Sequence, residues 1–263
     1  MRSRVITALV LVPLVLAALL GLPGRAIEIL LAIVIAYGAW EWSNFFPAAT
    51  LLRRLVFVAV VAGLMGALHL LAGPSLRFPG MLEIAVLGWA LTLIWVWSYP
   101  TPMPGFIAGL LGAVILVIAW AAMSLLAIAG WQWLLFLLLL IWAADVGAYF
   151  AGRRFGVRKL APAVSPGKTW AGVFGGLALS MLVAAAGGWW FGMPMAWFIL
   201  LCMVSVLLSI LGDLMVSMFK RARGIKDSGK LLPGHGGVLD RIDSLLSASP
   251  VMVLGLVYLG AIQ

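Results

Sequence analysis

The stretch "PGFIAGLLGAVILVIAWAAMSLLAIA", Pro104–Ala129, holds no charged residue and no break in its apolar character. The hydrocarbon core of a bilayer is about 30 Å thick and takes about 20 residues of helix. Inside lipid every backbone N–H and C=O must find its partner within the protein, which leaves helices or a closed barrel. Barrel strands alternate apolar and polar residues. This stretch does not alternate, so it reads as a membrane-spanning helix.

Similar runs recur on both sides of it, in a chain of 263 residues that is 65% hydrophobic and 10% charged, with a mean hydropathy of +1.19. Nine spans are expected: Val5–Leu22, Ala26–Trp42, Leu55–Ala72, Met81–Tyr99, Pro104–Ala129, Trp131–Ala151, Ala171–Phe191, Met195–Val216 and Ser249–Ile262. The fold class is therefore an all-α, polytopic integral membrane protein with about nine transmembrane helices. The first run follows "MRSR", as a signal peptide would. It is longer than a signal core and lacks a small-x-small cleavage site, so a retained anchor is expected. Cys202 stands alone inside a span and reads as a buried thiol.

The basic residues orient the chain. With the N-terminus on the cytoplasmic side, only Arg25 and Arg77 fall outside, and the other 15 of the 17 basic residues fall inside. Such a bias fixes the orientation by the positive-inside rule and supports an odd number of spans. A compact protein of this kind is expected in a bacterial inner membrane, with its two basic loops in the cytoplasm.

The two halves differ. Residues 1–102 read as a scaffold of transmembrane helices, and its acids, Glu28, Glu41 and Glu83, lie near span ends or aromatic belts. They read as interfacial or paired carboxylates, and His69 as an ordinary helix-end residue. Residues 103–263 read as the catalytic region, with basic cytoplasmic loops at 152–170 and 217–247. All five aspartates are there: Asp145, Asp213, Asp227, Asp240 and Asp243. Charge in hydrocarbon is expensive, so this concentration implies a polar cavity.

Three stretches carry the chemistry. In "WAADVGAYFAGRRFG", Asp145 comes late in an apolar run, where an unpaired carboxylate costs about 2.5–3.5 kcal/mol. Tyr149 shares its helix face, Gly147 and Gly152 allow close helix approach, and Arg153 or Arg154 offers a structural ion pair. In "LAPAVSPGKTWAGVFGG", Ser-Pro-Gly breaks a helix, and Lys168 and Thr169 then stand at the start of the next. That is an anion site in principle, or simply a capped helix start.

The third is "DLMVSMFKRARGIKDSGKLLPGHGGVLDRID", Asp213–Asp243. On a continuing helix Asp213, Ser217, Lys220 and Arg221 share one face. The glycines of "PGHGG" let backbone approach a ligand closely. A new helix begins near Asp240, with Asp243 on the same face, and the hairpin can bring Asp240 back toward Asp213. Carboxylates without a His/Cys cluster suit a hard cation such as Mg²⁺, and adjacent lysines and arginines suit a polyphosphate. The alternative is a solvated loop that binds acidic lipid.

This third stretch resembles the signature of CDP-diacylglycerol synthases (phosphatidate cytidylyltransferases): Ser217, Lys220-Arg221, Lys226-Asp227, Pro233 to Gly237, and Asp240-Arg241-x-Asp243. "AADVGAY" and "SPGKTW" are similar to that family as well, so the likeness covers at least Trp142 to Ser244. Ala171 departs from the acidic or amide residue that relatives often carry and is assigned no catalytic duty.

The resemblance implies that CTP and phosphatidate give CDP-diacylglycerol and pyrophosphate. It also implies dependence on Mg²⁺, with a second, monovalent cation such as K⁺, and a homodimer. The candidate catalytic residues are Asp213, Lys220, Arg221, Asp240 and Asp243. Asp213, Asp240 and Asp243 are the candidate metal ligands, with Asp227 in support. Asp145, Ser165, Lys168, Ser217, Lys226, Asp227, His235 and Arg241 are the candidate substrate-binding set. The expected partners are CTP, phosphatidate and the bilayer, and no nucleic acid. A transporter, a CDP-alcohol phosphatidyltransferase and an acidic-lipid binder are the rival classes. The strong asymmetry of charge argues against the first, and the absence of a closely spaced helical aspartate motif against the second.

Overall fold

The computed structural model describes residues 2–47, 50–73, 80–231 and 236–262. Nine α-helices run through the described residues: α1 Arg2–Gly21, α2 Gly24–Trp42, α3 Leu51–Ala72, α4 Met81–Trp97, α5 Gly105–Ala129, α6 Trp131–Phe155, α7 Trp170–Trp190, α8 Met195–Ala222 and α9 Leu239–Tyr258. Seven apolar stretches are long enough to cross a membrane; the 17-residue α4 and the apolar part of α1, Val12–Gly21, are shorter. The all-α polytopic expectation holds, with one addition. Between α6 and α7 the chain forms a two-stranded antiparallel hairpin, β1 Lys159–Ala161 and β2 Ser165–Thr169.

Two boundaries depart most from the hydropathy reading. Helix α8 runs on to Ala222, past the apolar end at Val216, and carries Ser217, Lys220 and Arg221 in its last turns. The span expected from Ser249 and the helix expected near Asp240 are one helix, α9, with Pro250 inside it. Its polar first half hides from a hydropathy window. Its serines mask themselves: Ser247 Oγ donates to Leu208 O at 2.7 Å and Ser249 Oγ to Leu245 O at 2.8 Å.

The chain divides into two compact units. The first contains residues 1–81, 102–135 and 219–243. There α5 packs on α2 at Gly112, where a Cβ would overlap the Trp42 indole. Trp42 Nε1 donates to Ala108 O at 2.9 Å, and Trp120 Nε1 to Glu28 O at 3.2 Å. Lipid tails are as apolar as leucine, so close packing and hydrogen bonds of this kind, not hydrophobicity, hold such helices together. His69 Nδ1 meets Glu28 Oε1 at 2.8 Å, so Glu28 is a paired carboxylate. Trp42, Phe45 and Phe219 form an aromatic cluster with centroids 5.2–5.5 Å apart, and Arg223 Nε donates to Phe45 O at 2.6 Å.

The second unit contains residues 82–101, 136–218 and 244–263. Helices α6 and α7 approach backbone to backbone: a Cβ on Gly147 would overlap Gly175 O, and one on Gly176 would stand 2.8 Å from Ala144 O. The expected role of Gly147 as a contact glycine is met. Gly152 serves likewise, with Thr169 Oγ1 3.1 Å from where its Cβ would be. Ser180 Oγ adds a bond to Leu140 O at 3.3 Å.

Candidate active site

In the second unit the site is built by α6, β2, α7 and α8. Thr169 caps α7 by accepting from Gly172 N at 3.1 Å. Lys168 therefore lies in β2, just before the helix, and not within its first turn. Its ammonium reaches across to α8, meeting Asp213 Oδ2 at 2.7 Å and Ile210 O at 3.3 Å. Ser217, one turn on, donates to the other oxygen of Asp213 at 3.2 Å.

A cavity of about 410 Å³ opens beside this pair. Asp145, Tyr149, Arg153, Lys168, Ser209, Asp213 and Ser244 line it. The i, i+4 spacing of Asp145 and Tyr149 thus puts both on one cavity wall, and Arg153 Nη1 donates to the Tyr149 hydroxyl at 3.0 Å. Ser165 does not line this cavity; it sits at the far end of β2, paired with Ala161.

In the first unit the chain leaves α8 through a glycine turn at Gly224 and returns at α9. Asp240, in the first turn of α9, is the hub. Its Oδ1 accepts from Lys220 Nζ at 2.8 Å, and its Oδ2 accepts from Ser228 N and Gly237 N, both at 2.9 Å. The Lys220 and Asp240 side chains are 11% and 8% exposed. Gly236 is required twice: its φ is 79°, and a Cβ there would stand 2.5 Å from Asp240 Oδ2. Asp243 is buried, one turn after Asp240. Lys226 and Asp227 are exposed and line a cleft with Tyr37, Trp40, Arg54 and Lys230. Arg221 and Arg241 are exposed at the ends of α8 and α9. His235 lies outside the described residues.

One residue of this unit escapes a sequence reading. Glu41, near the end of α2, is only 2% exposed. Its Oε2 accepts from Leu239 N at 2.7 Å and from Ser228 Oγ at 3.2 Å. Flanking tryptophans point to an interfacial carboxylate, but the hairpin that carries Asp240 covers it. The signal available in the sequence was an acid among apolar residues near a span end, which interfacial and buried acids share.

The donors suit a hard cation. Among the described residues no three His, Cys, Asp or Glu side chains stand together as a metal site. Mg²⁺ commonly takes one or two carboxylates and completes its shell with water and substrate phosphates, so aspartates of this kind fit it. The Lys168–Asp213 pair also sets an ammonium beside the cavity, where an anionic phosphate can be met.

The model of the cytidylyltransferase family matches residues 2–259. The chain belongs to the cytidylyltransferase family. Curated relatives agree in extent. The phosphatidate cytidylyltransferase of Pseudomonas aeruginosa is 43% identical over 265 residues, 95% of each chain. That of Haemophilus influenzae is 39% identical over 95% of this chain and 96% of its own. That of Brucella suis is 35% identical over 97% of this chain and 92% of its own. The cytidylyltransferase match thus takes in both units and every candidate residue.

Proposed function

We propose that this family member is a phosphatidate cytidylyltransferase: it transfers the cytidylyl group of CTP to phosphatidate and releases pyrophosphate. The carrying observation is the likeness to relatives of that name over more than nine-tenths of the chain, at 43, 39 and 35% identity. A phosphate oxygen of phosphatidate attacks the α-phosphorus of CTP. The new P–O bond forms as the bond to the β-phosphate breaks, and its electron pair leaves with pyrophosphate. The attacking phosphate is already ionised, so no general base is needed, and His235 is given no proton-transfer role.

The obstacle is repulsion between two anions, and positioned cations are the remedy. Lys168 and Lys220 would neutralise phosphate charge, and Arg221, Lys226 and Arg241 would bind phosphates as well. Asp145 would face the nucleotide or headgroup from the cavity wall, with Ser217 steadying Asp213 and Asp227 beside Lys226; Ser165, outside the cavity, would act only from the far end of β2. Asp213 and Asp240, with Asp243 in support, are the residues that would hold Mg²⁺. When bound, the metal supplies charge neutralisation at the phosphates; a monovalent cation such as K⁺ would complement it. The chain acts as a homodimer in a bacterial inner membrane, N-terminus and site toward the cytoplasm, and the acyl chains enter from the side. The orientation is supported by the placement of the basic residues, 15 of 17 on one side.

The test is incorporation of radiolabelled CTP into lipid by the purified protein, with and without phosphatidate and Mg²⁺. Product is expected only with both present. Turnover without phosphatidate, or solute flux without lipid product, rejects the reading.

A further inference from the structure

We propose that Glu41 of α2 is a positioning residue for Asp240, holding from beneath the hairpin that gives Asp240 its geometry. Ser228 is gripped from two sides. Its N–H goes to Asp240 at 2.9 Å, its hydroxyl goes to Glu41 at 3.2 Å, and its carbonyl accepts from Asn44 Nδ2 at 2.8 Å. Glu41 also takes the N–H of Leu239, the residue before Asp240, at 2.7 Å. Free N–H groups at a helix start need such acceptors, so Glu41 helps fix the first turn of α9. Ser228 is itself only 1% exposed, so these bonds are formed out of water.

The packing is equally specific. Glu41 Oε1 is buried without a hydrogen-bond partner among the described residues. A Cβ on Gly229 would overlap Oε1, and one on Gly237 would overlap both carboxylate oxygens. The glycines on either side of the hairpin therefore make room for this carboxylate. An interfacial acid has no such cradle. Asp240 and Glu41 thus share the same described backbone, Ser228 on one side and Gly237–Leu239 on the other, and Glu41 reaches the chemistry only through it.

The inference rests on the cytidylyltransferase reading only for what Asp240 does, and its test has a second readout that does not depend on turnover. Full-length wild type, Glu41→Ala and Glu41→Gln are compared in nanodiscs. Amide hydrogen exchange is followed from 225 to 240, and product formation is assayed with CTP and phosphatidate. Glu41→Ala should speed exchange at Leu239 by about tenfold, the scale of one buried hydrogen bond. It should also speed exchange at Ser228 and Gly237, whose N–H groups bond to Asp240 and not to Glu41. Turnover should fall by about 100-fold in kcat, the usual result of a displaced catalytic group, with KM for CTP little changed. Glu41→Gln keeps an oxygen for Leu239 N–H and should restore protection and most of the rate.

Release confined to Leu239, full turnover in Glu41→Ala, or a Gln variant as impaired as Ala would each overturn the proposal. A wild type without turnover would reject the proposed activity instead, and the exchange pattern would still decide the role of Glu41.

Discussion

Two lysine–aspartate pairs, one in each unit, differ in how they are held. Lys168 and Asp213 are 24% and 32% exposed beside an open cavity, and Ser217 donates to the aspartate. Lys220 and Asp240 are 11% and 8% exposed, and the aspartate accepts two backbone N–H groups as well. An exposed pair contributes about 0–1 kcal/mol to stability. A buried pair contributes little net, but removing one partner costs about 3–5 kcal/mol because the other charge is left buried. The same residue types are therefore held differently: the first pair lines an open cavity, and the second is fixed in place by burial and backbone donors.

The largest effect expected is from Asp240→Asn. It should abolish product formation and also lower the melting temperature, since Lys220 is left without its counter-charge. Adding Lys220→Met should recover part of the lost stability and none of the activity; a thermal melt in detergent beside the lipid assay reads both. Asp213→Asn comes next. It should cost about 100–1,000-fold in rate, the scale of a lost electrostatic contact in a site, with a nearly unchanged melt. A large fall in stability there would erase the distinction between the pairs.

Gly229→Ala should cost about 1–3 kcal/mol, the usual penalty for overpacking, because the new methyl meets Glu41. A denaturant or thermal titration checks it. Lys226→Ala should have the smallest effect, because this lysine is exposed. A rise in KM for CTP of about threefold, on the scale of an exposed charge contact, is expected in steady-state kinetics.

Much of this was legible in the sequence for a simple reason. Long, strongly apolar runs have few folds open to them, and among the described residues each of the nine runs is met by a helix. The charged residues stand out against that background, and the glycines and aspartates of the last loop fall in a pattern that a basic surface does not need. Other features are invisible locally. Stretches α3 and α5 have almost the same hydropathy, 2.4 and 2.5, yet 17% of one and 72% of the other is buried in protein. Lipid and protein interior are both apolar, so hydropathy cannot separate the two surroundings. Strands β1 and β2 have three and five residues, too short to show a period. Asp240, Arg241, Asp243, Ser244 and Ser247 lower the hydropathy of the first half of α9 and shift its apparent start to Ser249. Glu41 depends on a partner at the other end of the chain, which no local pattern contains.

That last distance bears on biosynthesis. Glu41 and Leu239 are separated by 198 positions. A ribosome adding about 5–20 residues each second needs many seconds to travel that far. For that interval α2 is already threaded into the bilayer with a carboxylate whose acceptor role is unfilled. The early helices must wait, and maturation of the hairpin is deferred until the final helix emerges.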